Sequence, residues 1–198
     1  MILADYYDHH ATTFIAPTRD VDMSDARKRF ESVLPARKNG PARILDAGSG
    51  SGRDALSFRL SGYDVSAFDA SPAMLAATQA HAAVRTRLMR FEDFAWEHPF
   101  EGIWACASLL HVSKLDLPKV IDRLAAHLVP EGALYMSFKQ GTGERVTDGR
   151  RFTDLTGTRL AAILRRCGIF GEPDIWESRD RRPYRASEVW VNAIVTLT

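Results

Sequence analysis

The stretch Ile44-Leu45-Asp46-Ala47-Gly48-Ser49-Gly50-Ser51-Gly52-Arg53-Asp54 opens on apolar residues and then places a glycine at every second position. Arg43–Ala47 predicts a short buried strand, and the three glycines let the backbone turn tightly into a helix that runs through Leu60. A loop of this kind leaves room for a ligand against the main chain. It is also compatible with a tight turn that binds nothing, so the residues around it decide.

Outward from the loop, strand and helix patterns alternate. Tyr63–Asp69 predicts a second strand, and Ser71 caps a helix with Pro72 in its first turn, where a missing N–H costs nothing. Val84–Met89 reads as a weaker strand. Ile103–Ser108 reads as a fourth, after a Pro-Phe-Glu-Gly turn at 99–102. Asp116 and Pro118 open a helix carrying Ile121, Leu124, Ala125 and Leu128, and Pro130-Glu131-Gly132 turns the chain into the strand Ala133–Phe138. A helix with Leu160, Ile163, Leu164 and Cys167 on one face stops at Gly168, and strands are expected near Ile169–Glu177 and Val189–Leu197. Upstream, Ser24 caps a helix with Ala26, Phe30, Val33 and Leu34 on one face, whereas residues 1–22 show no period. Such alternation predicts an α/β fold: a mainly parallel sheet with helices on both faces, its ligand at the carboxyl ends of the strands.

Two carboxylates narrow the ligand. Asp46 ends the first strand beside the loop, where an anion suits an ammonium group and repels a pyrophosphate. Asp69 ends the second strand seventeen residues after Gly52, where a carboxylate can accept both hydroxyls of a ribose. The pair describes a nucleoside that carries a cationic amino acid better than it describes a dinucleotide.

The 198 residues are enough for one substantial core, and 26 basic against 25 acidic side chains leave a net charge of +1, without the surplus of a nucleic-acid binder. Cys106 and Cys167 lie far apart, no Cys/His spacing matches a metal site, and no window approaches the ~18 apolar residues of a membrane span. These features predict a cytoplasmic protein without metal, with nucleic acid and membrane disfavoured as partners and the oligomeric state left open.

Leu45–Gly52 resembles the first motif of class I S-adenosylmethionine-dependent methyltransferases, and Asp69-Ala70-Ser71-Pro72-Ala73-Met74-Leu75 resembles their second. Phe91-Glu92-Asp93-Phe94 is similar to their adenine-edge motif, Ile103–His111 to their fourth-strand motif, and Pro130–Leu134 to the turn before their fifth strand. The likeness spans about residues 42–140. Tyr6-Tyr7, Ser137-Phe138-Lys139, Gly149-Arg150-Arg151-Phe152 and Trp190-Val191-Asn192 extend it toward small bacterial, tellurite-resistance-like members with a type 11 or 12 methyltransferase domain.

The resemblance implies a Rossmann-like, mostly parallel seven-stranded sheet with the last strand antiparallel. It implies an N-terminal helical cap or lid over residues 1–41 and a methyltransferase domain over 42–198, with S-adenosylmethionine as cofactor and S-adenosylhomocysteine as product. Asp46 and the Gly48, Gly50 and Gly52 backbone would hold the methionine moiety, and Asp69 the ribose. Ala70 and Met74 would border the adenine, Asp93 would accept from its amino group with Phe94 packing at the ring, and Cys106 would lie near the methionine. The Asn/Asp-Pro-Pro-Tyr/Phe motif of nucleobase amino-methyltransferases is absent at Ala107-Ser108, so the acceptor is expected to be a small molecule: a thiol, chalcogen anion, hydroxyl or amine.

On the acceptor side, His111 has a pKa suited to a catalytic base, or it simply packs at a strand–helix junction. Lys139 ends the fifth strand and faces either the cleft or solvent. Tyr6, Tyr7, His9 and His10 form part of a lid or a polar terminus. Arg145, Arg150 and Arg151 border a Gly-rich loop, 141–149, that would cap the site and suit an anionic acceptor, or else are solvated. Arg179, Arg181, Arg182 and Arg185 read as a solvated hairpin tip, Trp104, Trp176 and Trp190 as core, and Cys167 as structural. A methyltransferase of RNA or protein, and a non-enzymatic member of the fold, are the main rivals. An NAD-dependent oxidoreductase is a weaker one, since Gly-x-Gly-x-x-Gly needs its third glycine at Arg53.

Overall fold

The computed structural model describes residues 3–182 and 185–198; residues 1–2 of the expected N-terminal segment lie outside them. The chain begins with three helices, α1 (Leu3–His9), α2 (Ala11–Arg19) and α3 (Ser24–Glu31). There follow β1 (Arg43–Ala47), α4 (Arg53–Leu60), β2 (Asp64–Asp69), α5 (Pro72–Ala82), β3 (Arg85–Leu88) and β4 (Phe100–Ala105). After a 3-10 turn at Leu109–His111 come α6 (Leu117–Ala125), β5 (Leu128–Lys139), β6 (Gly143–Thr147), β7 (Arg150–Asp154), α7 (Gly157–Cys167), β8 (Asp174–Arg179) and β9 (Val189–Thr196).

Seven strands form one sheet in the order β3-β2-β1-β4-β5-β9-β8. The first five are parallel, and β9, the last strand in sequence, runs antiparallel to both β5 and β8. This is the expected Rossmann-like sheet. Period-two alternation divides it between two cores: Leu45 and Ala47 of β1 pack toward α6 and α7, while Ile44 packs with Phe30 of α3, Ala55 and Phe58 of α4 and Ala82 of α5. The strand order reverses between β1 and β4, which opens a crevice at their carboxyl ends.

Four local expectations change. Residues 3–19 are helical although their sequence shows no period. α2 buries none of its residues, so these short helices are held by what Tyr7 and Asp8 make with the domain beneath them. The strand expected from Ile103 begins at Phe100 and ends at Ala105. Gly102, read as a turn residue, is a strand glycine because a Cβ there would stand 2.6 Å from the Phe30 ring of α3. Leu128 starts β5 and does not end α6, and Pro130–Gly132 lies inside β5, where the β4–β5 register shifts. The loop expected over 141–149 is largely a hairpin, with β6 paired to β7 through the turn Asp148-Gly149, both at positive φ (52° and 74°). Asp-Gly between two extended runs is a hairpin signal that the sequence did contain.

Candidate active site

The glycine loop divides its work. Gly48, Gly50 and Gly52 all have positive φ, at 75°, 54° and 76°. A Cβ on Gly48 would lie 2.5 Å from that of Ser108, and one on Gly52 would lie 2.8 Å from the Cα of Thr78, so these two let neighbouring chain approach. A Cβ on Gly50 would meet nothing within 4 Å, which leaves its backbone open to the crevice.

A single cavity of about 880 Å³ fills the crevice, near the upper end of the ~300–1,000 Å³ range for small-molecule sites. Asp46, Gly48, Gly50, Asp69, Ala70, Met74 and Cys106, among the candidate cofactor residues, line it. Asp69 is held by the Gly50 and Ser71 N–H groups, each donating across 2.9 Å to a different carboxylate oxygen. Burial pushes the Asp69 carboxyl up, opposed by these N–H groups. Asp46, 3% exposed, accepts from Ala55 N–H at 3.0 Å. Burial, with Asp54 nearby, raises its pKa well above the usual carboxylate range, and a cationic group beside it would favour the ionised form and lower that pKa.

Other expected residues lie elsewhere. Gly52, Asp93 and Phe94 are not among the described residues lining the cavity. Gly52 packs on α5, Asp93 is exposed, and Phe94 is core, stacked on Phe68 with ring centroids 5.3 Å apart. The wall at that point is Met89, Arg90, Phe91 and Glu92. The lining stops at Glu92, short of Asp93, because residues 91–93 form a 3-10 turn, whose phase the sequence does not reveal.

Arg53, read only as an interruption of the glycine spacing, lines the cavity at the start of α4. It donates to Asp54 from Nε (3.0 Å) and contacts the Cys106 sulfur from Nη2 (3.4 Å). Asp54 also accepts from Arg27 and from the Trp104 indole, both at 2.9 Å. Burial raises the Cys106 thiol to about 11 and keeps it protonated.

The N-terminal helices close one side. The Tyr7 hydroxyl donates to His111 Nε2 at 2.8 Å, and both residues line the cavity. His111 Nδ1 lies 2.7 Å from the Arg151 carbonyl oxygen, so that nitrogen carries the proton. Burial lowers the His111 pKa to about 4 and raises that of Tyr7 to about 12. A base role for His111 is therefore disfavoured: its free nitrogen is occupied and its charged form is destabilised. Asp8 accepts from Ser71 Oγ (2.5 Å) and Ala73 N–H (3.0 Å), which fastens α1 to the start of α5 beside Asp69.

Tyr6, Lys139 and Arg150 are not among the described lining residues. Arg150 stacks on the Tyr6 ring at 4.0 Å, and Lys139 lies 2.6 Å from Glu188. Arg145 and Arg151 pair with Asp154 and Glu144, which removes the free cations that an anionic acceptor would need from the hairpin. Trp104 is core, but Trp176 and Trp190 line the cavity, as do Arg179, Arg181 and Arg182. Tyr135 and Lys139 do form a Tyr-x-x-x-Lys spacing. It lies on a strand, with the tyrosine hydroxyl bonded to Asn192 at 2.8 Å, and offers no oxidoreductase dyad.

Among the described residues no helix is long and apolar enough to cross a membrane, and no cluster of side chains could hold a metal ion. Residues 44–132 match the family model for a methyltransferase domain. The fold is shared with a 1,6-didemethyltoxoflavin-N1-methyltransferase from Burkholderia thailandensis, solved with 1,6-didemethyltoxoflavin and S-adenosylhomocysteine; identity is 25%, coverage 100% of this chain and 92% of that one, TM-score 0.68. The CcbJ methyltransferase of Streptomyces caelestis (17% identity, 98% of each chain, TM-score 0.72) is also similar. So is phosphoethanolamine N-methyltransferase 2 of Haemonchus contortus (15%, all of this chain and 60% of that one, TM-score 0.74). In sequence, an alignment of 97 positions with hemagglutinin 1 of Eikenella corrodens is 32% identical and covers 46% of this chain and 32% of that protein, so the match spans about a third of that relative. With this domain match and sheet order, residues 44–132 are a methyltransferase domain, and the chain has the Rossmann-like fold of the class I S-adenosylmethionine-dependent methyltransferases.

Proposed function

We propose that the chain transfers the methyl group of S-adenosylmethionine to a small-molecule acceptor and releases S-adenosylhomocysteine. The observation that carries this reading is the continuity of the cavity: the half around Asp46, Gly50 and Asp69 opens directly into a second half walled by Ala107, Ser137, Trp190 and Asn192. The Burkholderia relative, whose structure holds a small molecule beside S-adenosylhomocysteine, supports it by analogy.

The cofactor supplies an electrophilic methyl group on a sulfonium. Asp69 would accept the ribose hydroxyls and Asp46 would face the ammonium. Arg53 is placed to meet the methionine carboxylate. Ala70, Met74, Phe91 and Glu92 would surround the adenine. With an activated donor, the protein's main task is to align two reactants and exclude water, and proximity supplies most of the rate. Residues 1–41 act as the lid in this reading. Tyr7 closes it over the reacting end, His111 positions Tyr7, and Asp8 closes it over the nucleoside. No protein base is assigned.

A macromolecular acceptor is less well supported, because the arginine clusters that would favour RNA are largely consumed in ion pairs with carboxylates. Calorimetric titration with S-adenosylmethionine and, separately, NAD tests the cofactor assignment. Micromolar binding of S-adenosylmethionine alone is expected, and binding of NAD alone would overturn it. Product formation across neutral, anionic and cationic small molecules and total RNA then tests the acceptor class.

A further inference from the structure

The second half of the cavity has a floor laid across three strands. In the β8–β9 register Trp176 faces Asn192 and Ser178 faces Trp190; in the β9–β5 register Asn192 faces Ser137. These five side chains share one face of the sheet, and all line the cavity. The Ala107 N–H donates to Ser137 Oγ at 2.8 Å, so the floor begins at the end of β4, beside Cys106.

Most polar atoms of this floor are already committed. Asn192 accepts from the Tyr135 hydroxyl and donates to Ser178 Oγ at 2.9 Å. The Trp190 indole N–H donates to Asp180 at 3.0 Å. Asp180 is 7% exposed and also takes the Arg182 N–H and guanidinium. Trp176 carries the Arg29 guanidinium 4.2 Å from its ring centre. What faces the cavity unspent is the Trp190 ring and the Ser178 hydroxyl proton.

Most charges around this floor are paired: Arg29 with Asp174, Arg181 with Asp22 and Asp25, and Arg182 with Asp180. Arg179 makes no ion pair among the described residues and donates to the Ala186 carbonyl. Beside the Trp190 ring the guanidinium is that of Arg182, held by the buried Asp180, so a charged group stacked there would have to break that pair to gain a partner, whereas a neutral ring needs none.

We infer that the acceptor is an uncharged, planar heteroaromatic compound that stacks on Trp190 and accepts a hydrogen bond from Ser178, with Asp180 as the positioning residue that fixes the indole. This inference rests on the proposed methyl transfer. In that reaction the lone pair of a ring nitrogen forms the new N–CH3 bond as the S–CH3 bond breaks. The electrons of the broken bond stay on sulfur, and the ring N–H proton leaves to water. Aromatic stacking is sequence- and substituent-tolerant but demands a flat, desolvated partner, which is what this floor offers.

The test uses the full chain saturated with S-adenosylhomocysteine, titrated with quinazoline-2,4-dione as the neutral ring, quinoline-2-carboxylate as its anionic counterpart and cyclohexanol as the neutral non-planar control. The neutral ring is expected to bind at least tenfold more tightly than either. W190A should weaken it about tenfold, with W190F retaining most of the affinity and D180N losing several-fold, while the affinity for S-adenosylhomocysteine stays within twofold. Should W190A fail to fold, W190F, D180N and S178A carry the same comparison. Equal or tighter binding of the carboxylate, or no effect of Trp190, Asp180 and Ser178 substitutions, would overturn the inference. Failure of the wild-type chain to bind S-adenosylhomocysteine would instead overturn the methyl-transfer reading beneath it.

Discussion

The Tyr7 hydroxyl donates to Nε2 of His111 across 2.8 Å, between residues 104 positions apart in the chain. The same imidazole donates from Nδ1 to the Arg151 carbonyl at 2.7 Å, so one ring ties α1 and the β6–β7 hairpin to the turn after β4. Phe14 packs on Tyr7 (ring centroids 4.9 Å apart) and Phe152 on His111 (4.9 Å), which makes the junction apolar around its two hydrogen bonds. The N-terminal helix α1 is therefore tied to the domain through a neutral histidine.

Tyr7→Phe removes the donor and leaves a buried nitrogen without a partner, at a cost of about 1–3 kcal/mol to lid closure. The expected result is faster release of S-adenosylhomocysteine and lower kcat/KM, with the fold intact. A release rate equal to wild type, measured by stopped-flow fluorescence, would remove the latch.

The latch carries its own pH dependence. Burial depresses the folded pKa of His111 from 6.5 to about 4, so its contribution to stability is complete above pH 6.5 and is lost as pH falls toward 4. At about 1.36 kcal/mol per pH unit that interval corresponds to at most about 3 kcal/mol. Urea unfolding between pH 7 and 4 should show this loss, and His111→Gln should flatten it. An unchanged slope in the variant would assign the loss to other groups.

Asp8 is the second fastening. Asp8→Ala strips Ser71 Oγ and the Ala73 N–H of their acceptor, which should cost about 0.5–2 kcal/mol, as for loss of a helix cap. Calorimetry should show weaker cofactor binding, because the released helix lies beside Asp69. Unchanged affinity would confine Asp8 to stability.

Asp69→Ala should weaken S-adenosylmethionine binding by roughly 1–3 kcal/mol through loss of charge-assisted hydrogen bonds to the ribose. The Gly50 and Ser71 N–H groups lose their acceptor at the same time, so the loop loosens as well. Unaltered binding would mean that the nucleoside lies elsewhere.

Asp54→Ala should be the most destabilising of these changes. Asp54 is 4% exposed and accepts from Arg27, Arg53 and the Trp104 indole, so its removal strands two cations and a buried N–H. Breaking a buried pair from one side costs about 3–5 kcal/mol. Thermal unfolding that shifts by only a degree or two would show that water replaces the carboxylate.

The features that were legible in the sequence are those decided within a few residues. Positive φ at Gly48, Gly50 and Gly52, the Ser71 cap with Pro72 behind it, and carboxylates at the ends of β1 and β2 follow from local backbone chemistry and strand period. They were sufficient for the parallel part of the sheet and for the glycine-loop side of the cavity, and the resemblance of the motifs supplied the family and the antiparallel last strand. The Asp148-Gly149 turn belongs to the same class, since Asp-Gly at positive φ between two extended runs is local hairpin chemistry.

Tertiary structure decided the rest, because the rest depends on which distant groups meet. Nothing near His111 in sequence announces Tyr7, and without that contact and its burial the ring would be an ordinary base candidate. Arg145 and Arg151, which suggested an anionic acceptor, look free in a linear reading; the pairing of β6 with β7 places Asp154 and Glu144 against them. Trp190 reads as core by its strand period, yet the sheet ends beside it and its ring faces a cavity. Local chemistry determined the glycine loop and the carboxylates beside it; long-range pairing and burial determined how α1 docks, which charges are paired and which side chains wall the cavity, since both depend on distances that the order of residues does not contain.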